Sequence, residues 1–102
     1  MDRNERLLGV LGLCRRAGAM APGFDAAMEK VKTHGAALVL LARDCSPKTK
    51  KEAEFFCRGQ LPVQTLPVSM DEMFHIFKKR VAVLAVLDTN FAKKLQTLLQ
   101  QQ

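Results

Sequence analysis

Neither tryptophan nor tyrosine occurs in the 102 residues, so stacking on a flat ligand would fall to phenylalanine, arginine or apolar side chains. Cysteine is scarce and odd in number. Cys14, Cys45 and Cys57 show no C-x-x-C spacing and sit inside otherwise apolar patterns, which excludes a disulfide framework and predicts three buried, reduced thiols. Acids are outnumbered, ten Asp and Glu against sixteen Lys and Arg, for a formal charge of +6. Such a surplus suits a polyanion such as nucleic acid. No apolar run approaches the roughly 18 residues that span a bilayer, and the opening Met-Asp-Arg-Asn-Glu-Arg carries acids where a leader would be basic. A cytoplasmic chain with no membrane partner is expected.

The signatures of common enzymes are missing as well. There is no G-x-S-x-G, no Walker lysine loop and no G-x-G-x-x-G; Gly9 and Gly12 lie within a helical pattern. His34 and His75 have no cysteine or carboxylate at metal-ligand spacing, so neither a metal nor a cofactor is expected. Asp44 and Asp88 each follow an apolar run, and a carboxylate pair at one crevice could serve as acid and base. Turn and capping roles explain both and are the favoured reading.

What is present centres on residues 38–51, Leu-Val-Leu-Leu-Ala-Arg-Asp-Cys-Ser-Pro-Lys-Thr-Lys-Lys. The unbroken apolar run over 38–42 is the pattern of a strand buried on both faces, here the central one. Ser46 is a good N-cap and Pro47 fits the first helical position, so a helix starts here. Lys48, Lys50 and Lys51 then crowd the positive end of that helix. Either they reach into solvent, or they converge with free N–H groups on a phosphate.

In chain order, Leu7, Leu11 and Cys14 give a first helix over 4–16, closed by Gly18, with Gly9 and Gly12 allowing a neighbour close and Arg15 and Arg16 complementing its C-terminal end. A brief strand before Pro22-Gly23 follows. Phe24, Ala27, Met28 and Val31 mark a second helix ending near Gly35. The third helix turns Thr49, Ala53, Phe56 and Cys57 inward, leaving Phe55 about 100° away. Residues 62–67, bracketed by prolines, suit an edge strand. Ser69-x-x-Glu72 is a capping box with Val68 stapling onto Met73, and Met70, Met73, Phe74 and Phe77 form the apolar face of a fourth helix. The basic connection Lys78-Lys79-Arg80 leads into a second internal strand over 81–87. Asp88 or Thr89 caps a last helix, with Phe91, Leu95, Leu98 and Leu99 inward and residues 100–102 frayed. The alternation predicts one α/β domain over 1–102, a three-layer α/β/α sandwich with about four strands and five helices. Function in such sheets gathers beyond the strand C-termini.

The order of motifs resembles the kink-turn RNA-binding ribosomal-protein superfamily of the large-subunit seven-Ae and thirty-e type, nearest its bacterial YlxQ-like branch. Residues 11–18 (Leu-Gly-Leu-Cys-Arg-Arg-Ala-Gly), 22–25 (Pro-Gly-Phe-Asp), 38–51, 61–63 (Leu-Pro-Val) and 86–95 (Val-Leu-Asp-Thr-Asn-Phe-Ala-Lys-Lys-Leu) carry the likeness. It implies a mixed four-stranded sheet, no catalysis, and a structured RNA partner, kink-turn-like or ribosomal. The implied RNA surface is the start of the second helix (Gly23, Phe24, Asp25), the turn after the central strand (Asp44, Ser46, then Lys48 and Lys50) and the loop before the last strand (Lys78, Lys79, Arg80). Family members carry Gly-x-Asn-Glu with a lysine three residues on; here Gly23, Asp25, Ala26 and Glu29 stand in those positions. Asp25 keeps an acceptor for a base amino group, Ala26 loses a carboxylate, and Glu29 reverses a charge. A monomer is expected. A protein-interaction module with a degenerated RNA surface, anchoring a protein partner on Phe24 or Phe55, is the alternative.

Overall fold

The apolar runs near 40 and 85 form the two inner strands of one sheet, and the rest of the chain is layered on them. The structure, a computed structural model, describes residues 2–101. Their order is α1 (Arg3–Arg16), β1 (Met20–Pro22), α2 (Phe24–Lys32), β2 (Leu38–Leu41), α3 (Pro47–Cys57), β3 (Val63–Thr65), α4 (Met70–Phe77), β4 (Val83–Val86) and α5 (Thr89–Gln100).

Side chains on a strand alternate between faces, so each inner strand feeds two cores. Leu38 and Leu40 of β2 join Leu84 and Val86 of β4 against Leu7, Leu11 and Cys14 of α1, Met73 and Phe77 of α4 and Leu95 of α5. Val39, Leu41, Val83 and Ala85 face the other way, onto Ala27, Met28 and Val31 of α2 and Ala53 and Cys57 of α3. The result is the expected α/β/α sandwich. Burial on both faces is why these strands read as continuous apolar runs.

Strand order is β1-β4-β2-β3, with β2 and β3 parallel and β4 antiparallel to both β1 and β2. The C-terminal ends of β1, β2 and β3 therefore lie at one end of the sheet, beside the start of β4. Helices α2, α3 and α4 all begin at that rim. Helix α5, which follows β4, begins at the other.

Several details depart from the sequence reading. Strands β3 and β4 are shorter than the runs at 62–67 and 81–87, because Pro62 and Pro67 confine one and residues 81–82 belong to the incoming loop of the other. Phe74 points outward and is 48% exposed; Ile76 packs against the core in its place, since a helical stripe at this spacing admits either flank and the neighbouring α1 decides. Thr49 and Phe56 are half-buried rather than inward. Cys14 and Cys57 are buried, but Cys45 is only half-buried, lying in the turn beyond β2. Burial pushes the Cys14 thiol up to about 11, helped by the Asp88 carboxylate, and its Sγ donates to the Ala19 carbonyl at 3.3 Å. Gly9 has nothing within 4 Å of where a Cβ would stand, so no neighbour among the described residues uses the space it leaves. Helix α5 includes Gln100, and Arg3 donates to the Gln101 carbonyl. Gln102 lies outside the described residues.

Candidate nucleic-acid interface

Sheet polarity brings the three expected segments to one rim, and backbone hydrogen bonds stitch them together. The Gly23 N–H, just before α2, donates to the Val83 carbonyl at 2.7 Å. Ala42, just after β2, donates to the Ala82 carbonyl at 2.9 Å, and Arg43 donates to Val68 at 2.8 Å. Asp44 reaches across to accept from the Met70 N–H at 3.0 Å, a cap on α4 supplied from 26 residues away. Turns after β1, β2 and β3 and the loop entering β4 thus share one frame.

Three helix N-termini meet here, but they are not equivalent. At α3 the Ser46 hydroxyl accepts from the Thr49 N–H at 3.2 Å. At α4 the capping box is complete: Ser69 accepts from the Glu72 N–H and the Glu72 carboxylate accepts from the Ser69 N–H. Asp2 and Asp88 cap α1 and α5 by accepting from the Glu5 and Phe91 N–H groups. Helix α2 alone among the described residues has no side-chain cap. Its N-cap is Gly23, at φ 99° and ψ 151°, and the space a Cβ would fill there is empty. Free N–H groups at the positive end of a helix dipole, approachable along the backbone, form a site for an anion or another strong acceptor.

The charges of the rim and of the loop returning to it fall into two groups. Arg80 pairs with Asp71 in the first turn of α4, which ties the loop over 78–82 to the rim. Arg43 lies 3.7 Å from Glu72 and donates to the Pro67 carbonyl at 3.5 Å. Those two cations each pair with a solvent-accessible acid of α4. Lys48, Lys50, Lys51, Lys78 and Lys79 are exposed and enter neither of these two ion pairs, the only ones among the described residues. Lys78 holds a left-handed conformation at φ 61° as the C-cap of α4. Lys50 lines a shallow recess with Leu41, Arg43, Cys45 and Thr65. There burial raises the Cys45 thiol and the Asp44 charge adds to it, while Lys50 opposes them.

Every residue expected at the site lies on this rim or in the loop returning to it. Their roles differ. Asp25 is exposed in the first turn of α2, free to accept, whereas Asp44 and Ser46 already accept hydrogen bonds within the scaffold. Phe24 is half-buried and packs edge-on against Phe56, ring centres 6.2 Å apart, so its face is partly taken. Arg43 was not legible as a site residue: its position beside α4 depends on a pairing no local spacing reports. Asp44 and Asp88 follow antiparallel strands and stand at opposite ends of the sheet, so the acid–base pair does not assemble. Arg15 and Arg16, at the end of α1, lie away from the rim, and Arg15 sits 6.0 Å over the Phe77 ring. No helix among the described residues is long and apolar enough to cross a membrane.

Comparison with known proteins agrees with this fold. Residues 5–96 match the Ribosomal protein L7Ae/L30e/S12e/Gadd45 family. The chain is 33% identical over 91 residues to the RNA-binding protein YlxQ of Bacillus subtilis, covering 88% of this chain and 91% of that one. It is 27% identical over 97 residues to the RNA-binding protein YlxQ of Enterococcus faecium, covering 94% and 93%. A protein of unknown function from Bacillus halodurans superposes with a TM-score of 0.85 at 28% identity, covering 93% of this chain and 97% of that one. The Giardia lamblia 15.5kD RNA binding protein shares the fold with a TM-score of 0.75 at 16% identity, covering 96% and 85%.

Proposed function

Since the chain belongs to the Ribosomal protein L7Ae/L30e/S12e/Gadd45 family, we propose that it is a non-enzymatic RNA-binding protein that docks a bent, kink-turn-like RNA on the rim at the start of α2. The observation that carries this reading is the uncapped N-terminus of α2, the one helix start among the described residues without a side-chain cap, on the same rim as Lys48 and Lys50 of α3, which enter neither ion pair. The YlxQ relatives named above, which carry RNA-binding in their names, support the ligand class.

In this reading phosphates position the RNA and few base contacts specify it. Lys48 and Lys50 take phosphates on the rim beside the opening, and Lys78 and Lys79 take them along the loop that returns to the rim. Asp25, in the first turn of α2, accepts from a guanine or cytosine amino group, which a carboxylate can do in a widened groove. Ala26 presents no carboxylate beside it. Glu29, one turn further along, repels any backbone that follows the helix, so the RNA leaves the surface before reaching it. Arg80 and Asp44 act by holding the loops rather than by reading the RNA, one tied to Asp71 and the other to the Met70 N–H.

A gel-shift comparison tests specificity. The protein is expected to bind a kink-turn RNA more tightly than a plain duplex of the same length at the same salt. Equal weak binding of the two would end the claim that a bend is recognised.

A further inference from the structure

Helix α3 carries a stripe that the scaffold leaves unused. Lys48, Lys51, Phe55 and Arg58 recur at spacings of three, four and three, which places them on one helical face, and all four are exposed. Phe55 is 64% exposed, more than either Leu13 or Phe74. The Arg58 guanidinium carbon lies 5.2 Å over its ring. The Phe55 ring also meets Phe56 edge-on, at 6.0 Å, and Phe56 meets Phe24 at 6.2 Å. Lys32 stands 5.2 Å over Phe56. A line of aromatic rings with cations beside them thus runs from the open start of α2 to the outer face of α3.

The stripe's chemistry is selective. Its ionic members are all cations, while Glu52 and Glu54 flank it on either side. It begins at Lys48, on the rim, and extends about 15 Å down the helix to Arg58. Aromatic rings interleaved with basic side chains are what single-stranded nucleic acid requires: cations track the backbone, and a ring takes the flat face of a base. An apolar protein surface would gain nothing from three flanking charges that it must desolvate.

We propose that the outer face of α3 is a second RNA contact, which takes an unpaired segment leaving the RNA docked at α2. Its phosphates run over Lys48, Lys51 and Arg58, and one base stacks on Phe55. The assignment rests on the RNA reading above, and its test separates the two. Full-length protein is titrated with blunt kink-turn RNA and with the same RNA carrying a single-stranded tail of about four nucleotides, at either the 5′ or the 3′ end, a length suited to such surfaces.

One of the two tails is expected to raise affinity about ten-fold, the scale of one stacked base. Phe55→Ala removes that gain and leaves blunt-RNA affinity unchanged. Phe55→Trp keeps the gain, and because the chain has no other tryptophan, its fluorescence responds to the favoured tailed RNA and not to the blunt one. If the wild type binds blunt RNA but neither tail adds affinity, this inference fails and the docking reading stands. If it binds no RNA at all, both fall. Unchanged tailed-RNA binding by Phe55→Ala, with loss of a protein partner from native lysate, overturns the assignment in favour of protein docking.

Discussion

Replacing Lys48 and Lys79 by alanine and Lys78 by glycine is expected to lower affinity for bent RNA about 100-fold near 0.15 M salt. Each phosphate neutralised contributes roughly 0.7 to 0.9 to the slope of log K against log salt, so three lost contacts are worth about two decades at that ionic strength. If about four phosphates are held in the wild type, its slope is roughly −3 to −4, and that of the triple variant is roughly −1. Glycine is chosen at 78 because the backbone there sits at φ 61°, which costs a non-glycine residue about 1 kcal/mol, so the fold is not weakened. Arg80 is left in place because its pairing with Asp71 anchors the loop, and its loss would mix a structural effect with an electrostatic one. A triple variant with an unchanged slope would remove these lysines from the interface.

Gly23→Val is the second large effect, and it acts on fold and function together. At φ 99° and ψ 151° a β-branched residue is strained by about 1–3 kcal/mol. Loss of glycine's freedom in the unfolded chain returns about 0.4–1 kcal/mol, so strain wins and the net loss is about 1–2 kcal/mol. The urea midpoint should fall accordingly. RNA affinity should fall more than ten-fold, because the new side chain occupies the empty space through which the α2 N–H groups are reached. Gly23→Ala should move both quantities in the same direction by less. A valine variant that keeps wild-type RNA affinity would show that the approach to α2 is not the route of binding.

Local patterns made much of this fold legible. The run at 38–42 has the pattern of a strand buried on both sides, and Ser46-Pro47 and Ser69-x-x-Glu72 each mark a helix start that the structure keeps. Where local pattern gave equal weight to two outcomes, the tertiary neighbour chose, as with Phe74 against Ile76. The rim was legible in its parts but not in its assembly. The lysines after β2 and after β4 look alike in sequence, Lys48-Thr-Lys-Lys and Lys93-Lys94. Because β4 runs antiparallel to β2, one set stands at the start of α3 on the rim and the other follows the start of α5 at the far end. No spacing along the chain encodes that polarity. For the same reason, nothing local revealed that Asp44 would cap α4 or that Arg43 would meet Glu72.

The account stands on a shared location for residues that the sequence scatters. Amide chemical-shift mapping of the full chain during titration with kink-turn RNA tests it most directly. The largest changes should fall at residues 23–26, 42–46 and 78–82, with residues 35–37 and 88–91 at the far end of the sheet unmoved. Changes centred on residues 88–91 or on α1, with the start of α2 silent, would contradict it.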